Sequence, residues 1–148
     1  MTPAFGVALV AVALGGATIA LQAPINAALS RAIGQGMFAA AISFGVGFAI
    51  LLVLSAVRGA VPSVEALRSA PWWCWTGGAL GAYYVWASIW SVPKLGVVTM
   101  IAALIFGQLA CAIALDAWGA FGLPVKEIGW QRIVAVLLVA GGLVMSRL

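Results

Sequence analysis

The sequence predicts an all-α integral membrane protein with five transmembrane helices, and three observations lead there. Hydrophobic residues make up 66% of the chain and charged residues 7%, against about 45–50% and 25% in ordinary soluble domains. The apolar residues fall into runs long enough to cross a bilayer, separated by short segments that hold Gly, Pro and most of the charge. Arg31, Arg58, Arg68, Lys94, Lys126, Arg132 and Arg147 stand singly near the ends of those runs, where cationic side chains reach the membrane surface. The net charge of +4 is therefore a topology signal, and no nucleic-acid partner is expected.

The whole chain, 1–148, reads as a single transmembrane domain. The first span, 5–33, is longer than the roughly 20 residues that suffice. Pro24 lies inside it, removing one backbone donor and freeing the carbonyl of Ala20, so the helix is expected to kink or open there. The residues before this span lack the basic stretch of a secretory signal, and the run is expected to stay in the mature protein. Gly34-Gln35-Gly36 breaks the pattern, and the second span, 37–57, ends at Arg58. The polar segment 58–71 reads as a loop with a short helical turn after Ser63. Trp72, Trp73 and Trp75 mark an interfacial aromatic belt at the start of the third span, 72–92. Pro93-Lys94-Leu95-Gly96 reads as a tight turn before the fourth span, 97–115. A loop containing Gly and Pro, 116–130, leads to the fifth span, 131–147.

An odd number of spans puts the two ends of the bundle on opposite sides of the membrane. One side then holds Arg58, Arg68, Lys126 and Arg132, and the other Arg31, Lys94 and Arg147. The positive-inside rule barely decides between such similar sides, so insertion in both orientations is compatible with the sequence.

Thr18, Gln22, Asn26 and Ser30 recur every four residues and share one face of the first helix. With Pro24 they make a polar, proline-interrupted stripe. It either bonds neighbouring helices or lines a solute pathway. In the third span Gly77, Gly81, Tyr84, Ser88 and Ser91 form a small-residue face expected to point into the bundle. The neighbouring Tyr83, Trp86 and Trp90 suit a cation or a flat organic solute, or simply lipid, and Tyr84 is the preferred pathway aromatic. In the fourth span Gln108 is expected to pair with Asn26 or Gln22, or to touch solute. The candidate pathway is thus Thr18, Gln22, Pro24, Asn26, Tyr84 and Gln108, and the candidate close-packing glycines are Gly77, Gly81, Gly107, Gly141 and Gly142. Asp116, the carboxylate adjoining a span, reads as a solvated helix-end residue ahead of an ion-coupling acid.

Cys74 and Cys111 lie in or beside apolar runs, the chain has no histidine, and no metal spacing, nucleophile set or phosphate-cradling glycine motif is present. Neither an enzyme nor a cofactor or metal site is expected, and no catalytic residue is assigned.

Taken together, QAPINAALS at 22–30, GGALGAYYVWASI at 77–89, VPKLGVVTMIAALIFGQL at 92–109 and the terminal GWQRIVAVLLVAGGLVMSRL resemble the YdcZ-like family of the drug/metabolite transporter superfamily. The resemblance implies a half-size, five-helix member, one half of an inverted-repeat drug/metabolite transporter architecture. Such a half needs an oppositely oriented partner, either as an antiparallel homodimer or as a heterodimer with a related five-helix chain. It further implies a multi-pass protein of the bacterial plasma (inner) membrane that exports a small organic metabolite or drug-like solute by alternating access. Small multidrug exporters of the same superfamily carry a glutamate in their first helix. This chain has no acid there, which turns the expectation toward a neutral or anionic solute, or a facilitated route. Two other readings stand beside it: a non-transporting membrane subunit that stabilises a partner protein, suggested by the small-residue faces, and a lipophilic-cation multidrug exporter, suggested by the Trp and Tyr content.

Overall fold

The computed structural model describes residues 3–148, and among them it is all helical. Helix α1 spans Pro3–Ile33, α2 Gly36–Val57, α3 Val64–Ser69, α4 Gly77–Leu95, α5 Val97–Trp118 and α6 Trp130–Met145. Short 3-10 turns cover Trp72–Thr76 and Ala120–Gly122. By length and composition α1, α2 and α5 can each cross a bilayer, while α6 is a shorter apolar helix. Leu9, Val12, Leu51, Val98 and Leu138 are exposed, an apolar surface that fits contact with lipid and not with water.

The chain divides into two units, one ending at Lys94 and one running from Leu95 to Leu148. In the first, α1 packs along α2. They reverse direction at Gly34, whose φ of 71° lies in the left-handed region where a side chain is strained. The two-residue connection at Gly34 and Gln35 makes the helices antiparallel neighbours. Their contact is built from small residues: Ala23 and Ala27 on α1 and Ala39 and Ala40 on α2 are buried, letting the backbones approach.

The helix α1 runs through Pro24 without a break, so residues 22–33 continue it. The opening expected at Pro24 does not occur. A proline forfeits one hydrogen bond, whereas peeling the segment away would expose the buried face carried by Ala23, Asn26 and Ala27. α4 meets this pair through side chains, with Val85 and Ile89 joining Ala39 and Ala40 in one buried cluster.

Both ends of α4 differ from the sequence reading. Residues 72–76 form a 3-10 turn, so α4 starts only at Gly77, and it continues through Pro93 to Leu95. The turn expected at 93–96 shrinks to Gly96, at φ 76°. The polar loop does hold a short helix, with the Ser63 hydroxyl accepting the Ala66 N–H at 3.2 Å as its N-cap.

In the second unit α5 packs along α6. α5 runs three residues past the expected end, to Trp118, and Gly119 closes it at φ 61°, its N–H returning to the Leu115 carbonyl. The Lys126 N–H reaches back to the Asp116 carbonyl at 2.9 Å, satisfying a carbonyl that the helix end leaves open. Thr99 and Ser146 bond at the other end, hydroxyl to hydroxyl at 3.2 Å and Thr99 hydroxyl to Ser146 carbonyl at 3.2 Å.

Candidate functional site

The polar stripe of α1 is graded along its length. Thr18 is exposed and turns its hydroxyl back onto the Gly15 carbonyl at 2.7 Å, satisfying itself locally. Gln22, Pro24 and Ser30 are half-buried, and Asn26 is buried at 5% exposure. An amide at that depth must find a partner. Asn26 Nδ2 donates to the Ser43 hydroxyl of α2 at 3.1 Å, and Gln22 Nε2 approaches the same oxygen at 3.5 Å. A hydroxyl oxygen has two lone pairs and can accept both. The result is a three-residue polar node clamped between two apolar helices.

Ser43 was not among the residues singled out from sequence, although a signal for it exists. Asn26 lies eight residues before Gly34 and Ser43 eight after Gln35. Two helices of equal rise folded about that turn bring the pair level. A lone hydroxyl inside an apolar span points the same way, since it too needs a partner in lipid.

The node opens onto a groove of about 360 Å³ bordered by Gln22, Ser43, Gly47 and Leu51. Phe44 links it to a second groove of about 550 Å³ between α2 and α4, walled by Met37, Ala40, Ala82, Tyr83 and Trp86. Met37 and Trp86 in turn border a third, about 440 Å³, where Ser30, Gln35, Trp90 and Lys94 bring polarity back. Along these three linked grooves Lys94 is the one charged side chain among the lining residues, and no carboxylate lines them.

The aromatic residues of α4 divide between the core and the groove. Tyr84 packs against the buried cluster of Ala39, Ala40, Val85 and Ile89, making it a core residue. Tyr83, one position before it, and Trp86, two positions after, face the groove with ring centroids 6.1 Å apart and planes tilted by 46°. The Lys94 ammonium sits 3.1 Å from the centre of the Trp90 ring, a cation–π contact.

Gln108 lies on α5 in the second unit, while in the first unit the Asn26 and Gln22 amides turn to Ser43. Of the five candidate packing glycines, Gly81 sits where an added Cβ would come within 3.2 Å of Phe44 Cζ. Gly77, Gly107, Gly141 and Gly142 would meet nothing within 4 Å, so in the single chain they are open surface. Asp116 is not simply solvated. It forms an ion pair of 2.6 Å with Arg132, which crosses from α6 to α5 beside a shallow groove of about 160 Å³. The sequence alone, with Asp116 at the start of the 116–130 loop and Arg132 in the fifth span, gives no sign of this pairing. Among the described residues no cluster of His, Cys, Asp or Glu is arranged to hold a metal.

A family model described as "Putative inner membrane exporter, YdcZ" matches residues 7–145. The chain belongs to the YdcZ family. Its apolar helices and this membership make it a multi-pass protein of the inner membrane. Inner membrane protein YdcZ of Escherichia coli (strain K12) is 34% identical over 83 residues, 56% of this chain and 56% of that protein. The match therefore spans a little over half the length of this curated YdcZ relative. No solved structure matches the chain.

Proposed function

We propose that this YdcZ-family chain is a transporter that exports a small organic solute, with Gln22, Asn26 and Ser43 as polar contacts on the solute's route. The observation that carries this reading is the amide–hydroxyl node set into apolar helices at the edge of linked grooves. Two helices that needed only to adhere could do so through Ala23, Ala27, Ala39 and Ala40. Polar groups placed in a membrane core and bordering a cavity more often serve a pathway.

In this proposal α1, α2, α4, α5 and α6 all span, and the working unit is a pair of oppositely inserted five-helix chains meeting around a midplane site. Support comes from the odd count and from the nearly even division of basic residues between the two sides. The exposed Gly107, Gly141 and Gly142 offer close-approach surface for such a partner.

The test uses everted membrane vesicles containing the protein, incubated with fractionated cell extract, with the accumulated solutes identified by mass spectrometry. At least one solute should accumulate above vesicles without the protein, and Gln22→Ala, Asn26→Ala and Ser43→Ala should each reduce it. If nothing accumulates, the chain is not a transporter. If a solute accumulates equally in all three variants, the pathway lies elsewhere. Pairing is read separately, by labelling single cysteines placed in the 58–71 loop in a background lacking Cys74 and Cys111. Labelling from both membrane faces is expected, and labelling from one face alone would require a distinct partner chain.

A further inference from the structure

Resting on the transporter reading, we propose that the α2–α4 groove is selective for planar organic anions, with an aromatic body against Tyr83 and Trp86 and a carboxylate at the Lys94 ammonium.

The argument starts from continuity. The apolar groove and its polar extension share Met37 and Trp86, so they form one cleft, apolar at one end and polar at the other. Along α4 the cleft runs from Gly78 to Lys94, a rise of about 24 Å. The two parts, of about 550 and 440 Å³, fall within the roughly 300–1,000 Å³ range of small-molecule sites. The apolar part has aromatic walls on the α4 side, and the tilted Tyr83–Trp86 pair presents ring surface to a flat ligand.

Charge decides what kind of flat ligand. Ring faces alone would favour a cation. In this cleft, however, the ring face of Trp90 is already taken by Lys94 at 3.1 Å, and no carboxylate lines the cleft to balance a second positive charge. A lipophilic cation would meet like charge at the Lys94 end, with no carboxylate among the lining residues to offset it. An anion meets an ammonium held in place by its ring, with three N–H donors to offer. The Ser30 hydroxyl and the Gln35 amide line the same end and can complete a carboxylate's hydrogen bonds.

The test holds shape constant and changes only charge. The full-length protein in phosphatidylcholine nanodiscs is titrated by equilibrium dialysis with radiolabelled 2-naphthoate, 2-naphthamide and 2-naphthylmethylammonium, with empty nanodiscs subtracted. Naphthoate should bind saturably and about tenfold more tightly than the ammonium probe, the scale of one charge-assisted hydrogen bond. Lys94→Gln should remove that tenfold preference and leave naphthamide unchanged, whereas Lys94→Arg should keep it. Trp86→Ala should weaken all three probes by a similar factor.

Several results would overturn the proposal: unchanged naphthoate binding in Lys94→Gln, ammonium binding as tight as naphthoate, or no saturable binding of any probe. Displacement of naphthoate by a minor fraction of phosphatidylglycerol would also do so, since the cleft would then be an anionic-lipid site. Its failure can be told from failure of the transporter reading. Vesicles that still accumulate an extract solute, while the purified protein shows no preference for naphthoate, refute the anion selectivity alone.

Discussion

Replacing Ser43 with Ala removes the oxygen on which two amides converge, and the structure says how much each loss should matter. Asn26 is buried and its bond is 3.1 Å long, so Ser43→Ala leaves a buried amide donor unpaired. Gln22 at 3.5 Å is at the limit of a hydrogen bond and half-exposed on the groove, so losing Ser43 costs it little. The loss should therefore be carried by Asn26 and amount to about 1 kcal/mol, near the 0.6 kcal/mol average and below the 1.7 kcal/mol maximum found for interhelical bonds in membranes. Ser43→Thr keeps the oxygen and should keep the stability.

The sharper form is a double-mutant cycle. Asn26→Leu on its own removes the amide, and adding Ser43→Ala then costs almost nothing, because no donor remains to be stranded. Reversible unfolding of purified protein in mixed micelles, followed by tryptophan fluorescence, measures all four corners. A coupling energy of roughly 0.6–1 kcal/mol is expected. Additive effects, or a Ser43→Ala protein as stable as the wild type, would refute the node as a structural contact and with it the position assigned to Asn26.

Other sites give contrasts that are checked by the same unfolding assay. Gly81→Leu should destabilise by about 1–3 kcal/mol through overpacking against Phe44, while Gly77→Leu, where an added Cβ meets open space, should leave the chain's own stability near wild type. Gly119→Ala should be more damaging than Gly59→Ala although both glycines have φ near +60°, because at Gly119 the new Cβ would also lie 2.7 Å from Val125 Cγ2 and 2.9 Å from the Leu123 carbonyl oxygen. Asp116→Asn should cost about 1 kcal/mol, a value suited to a pair that is partly exposed on both sides, and exchanging Asp116 and Arg132 with each other should recover most of it.

Composition and periodicity determined a good deal of this protein without any coordinates. A chain this apolar cannot leave backbone groups unpaired in lipid, so helices follow. The Gly34-Gln35-Gly36 break between two apolar runs marked the connection of α1 and α2, and Gly34 there adopts the positive φ that other residues resist. The short helix after Ser63 was legible because a capping hydroxyl acts within four residues of its own position. Sequence likewise put Gln22 and Asn26 on one face and tied the chain to the YdcZ family through the order of its motifs.

What only the tertiary structure decided is which side of each helix meets which neighbour. A helical wheel separates Tyr84 from Tyr83 and Trp86 on α4 but does not say where α2 lies, so that Tyr84 meets Ala39 and Ala40 while Tyr83 and Trp86 share a groove with Met37 and Phe44 had to come from packing. The same holds for Asp116 and Arg132, whose pairing depends on how α6 returns beside α5. It holds also for the continuation of α1 past Pro24. Local chemistry argues for a break there, but burial of Ala23, Asn26 and Ala27 outweighs the one hydrogen bond that proline removes. In a membrane helix, where hydrophobicity no longer distinguishes inside from outside, small residues and a few polar atoms choose the partner, and that choice is made between helices rather than within one.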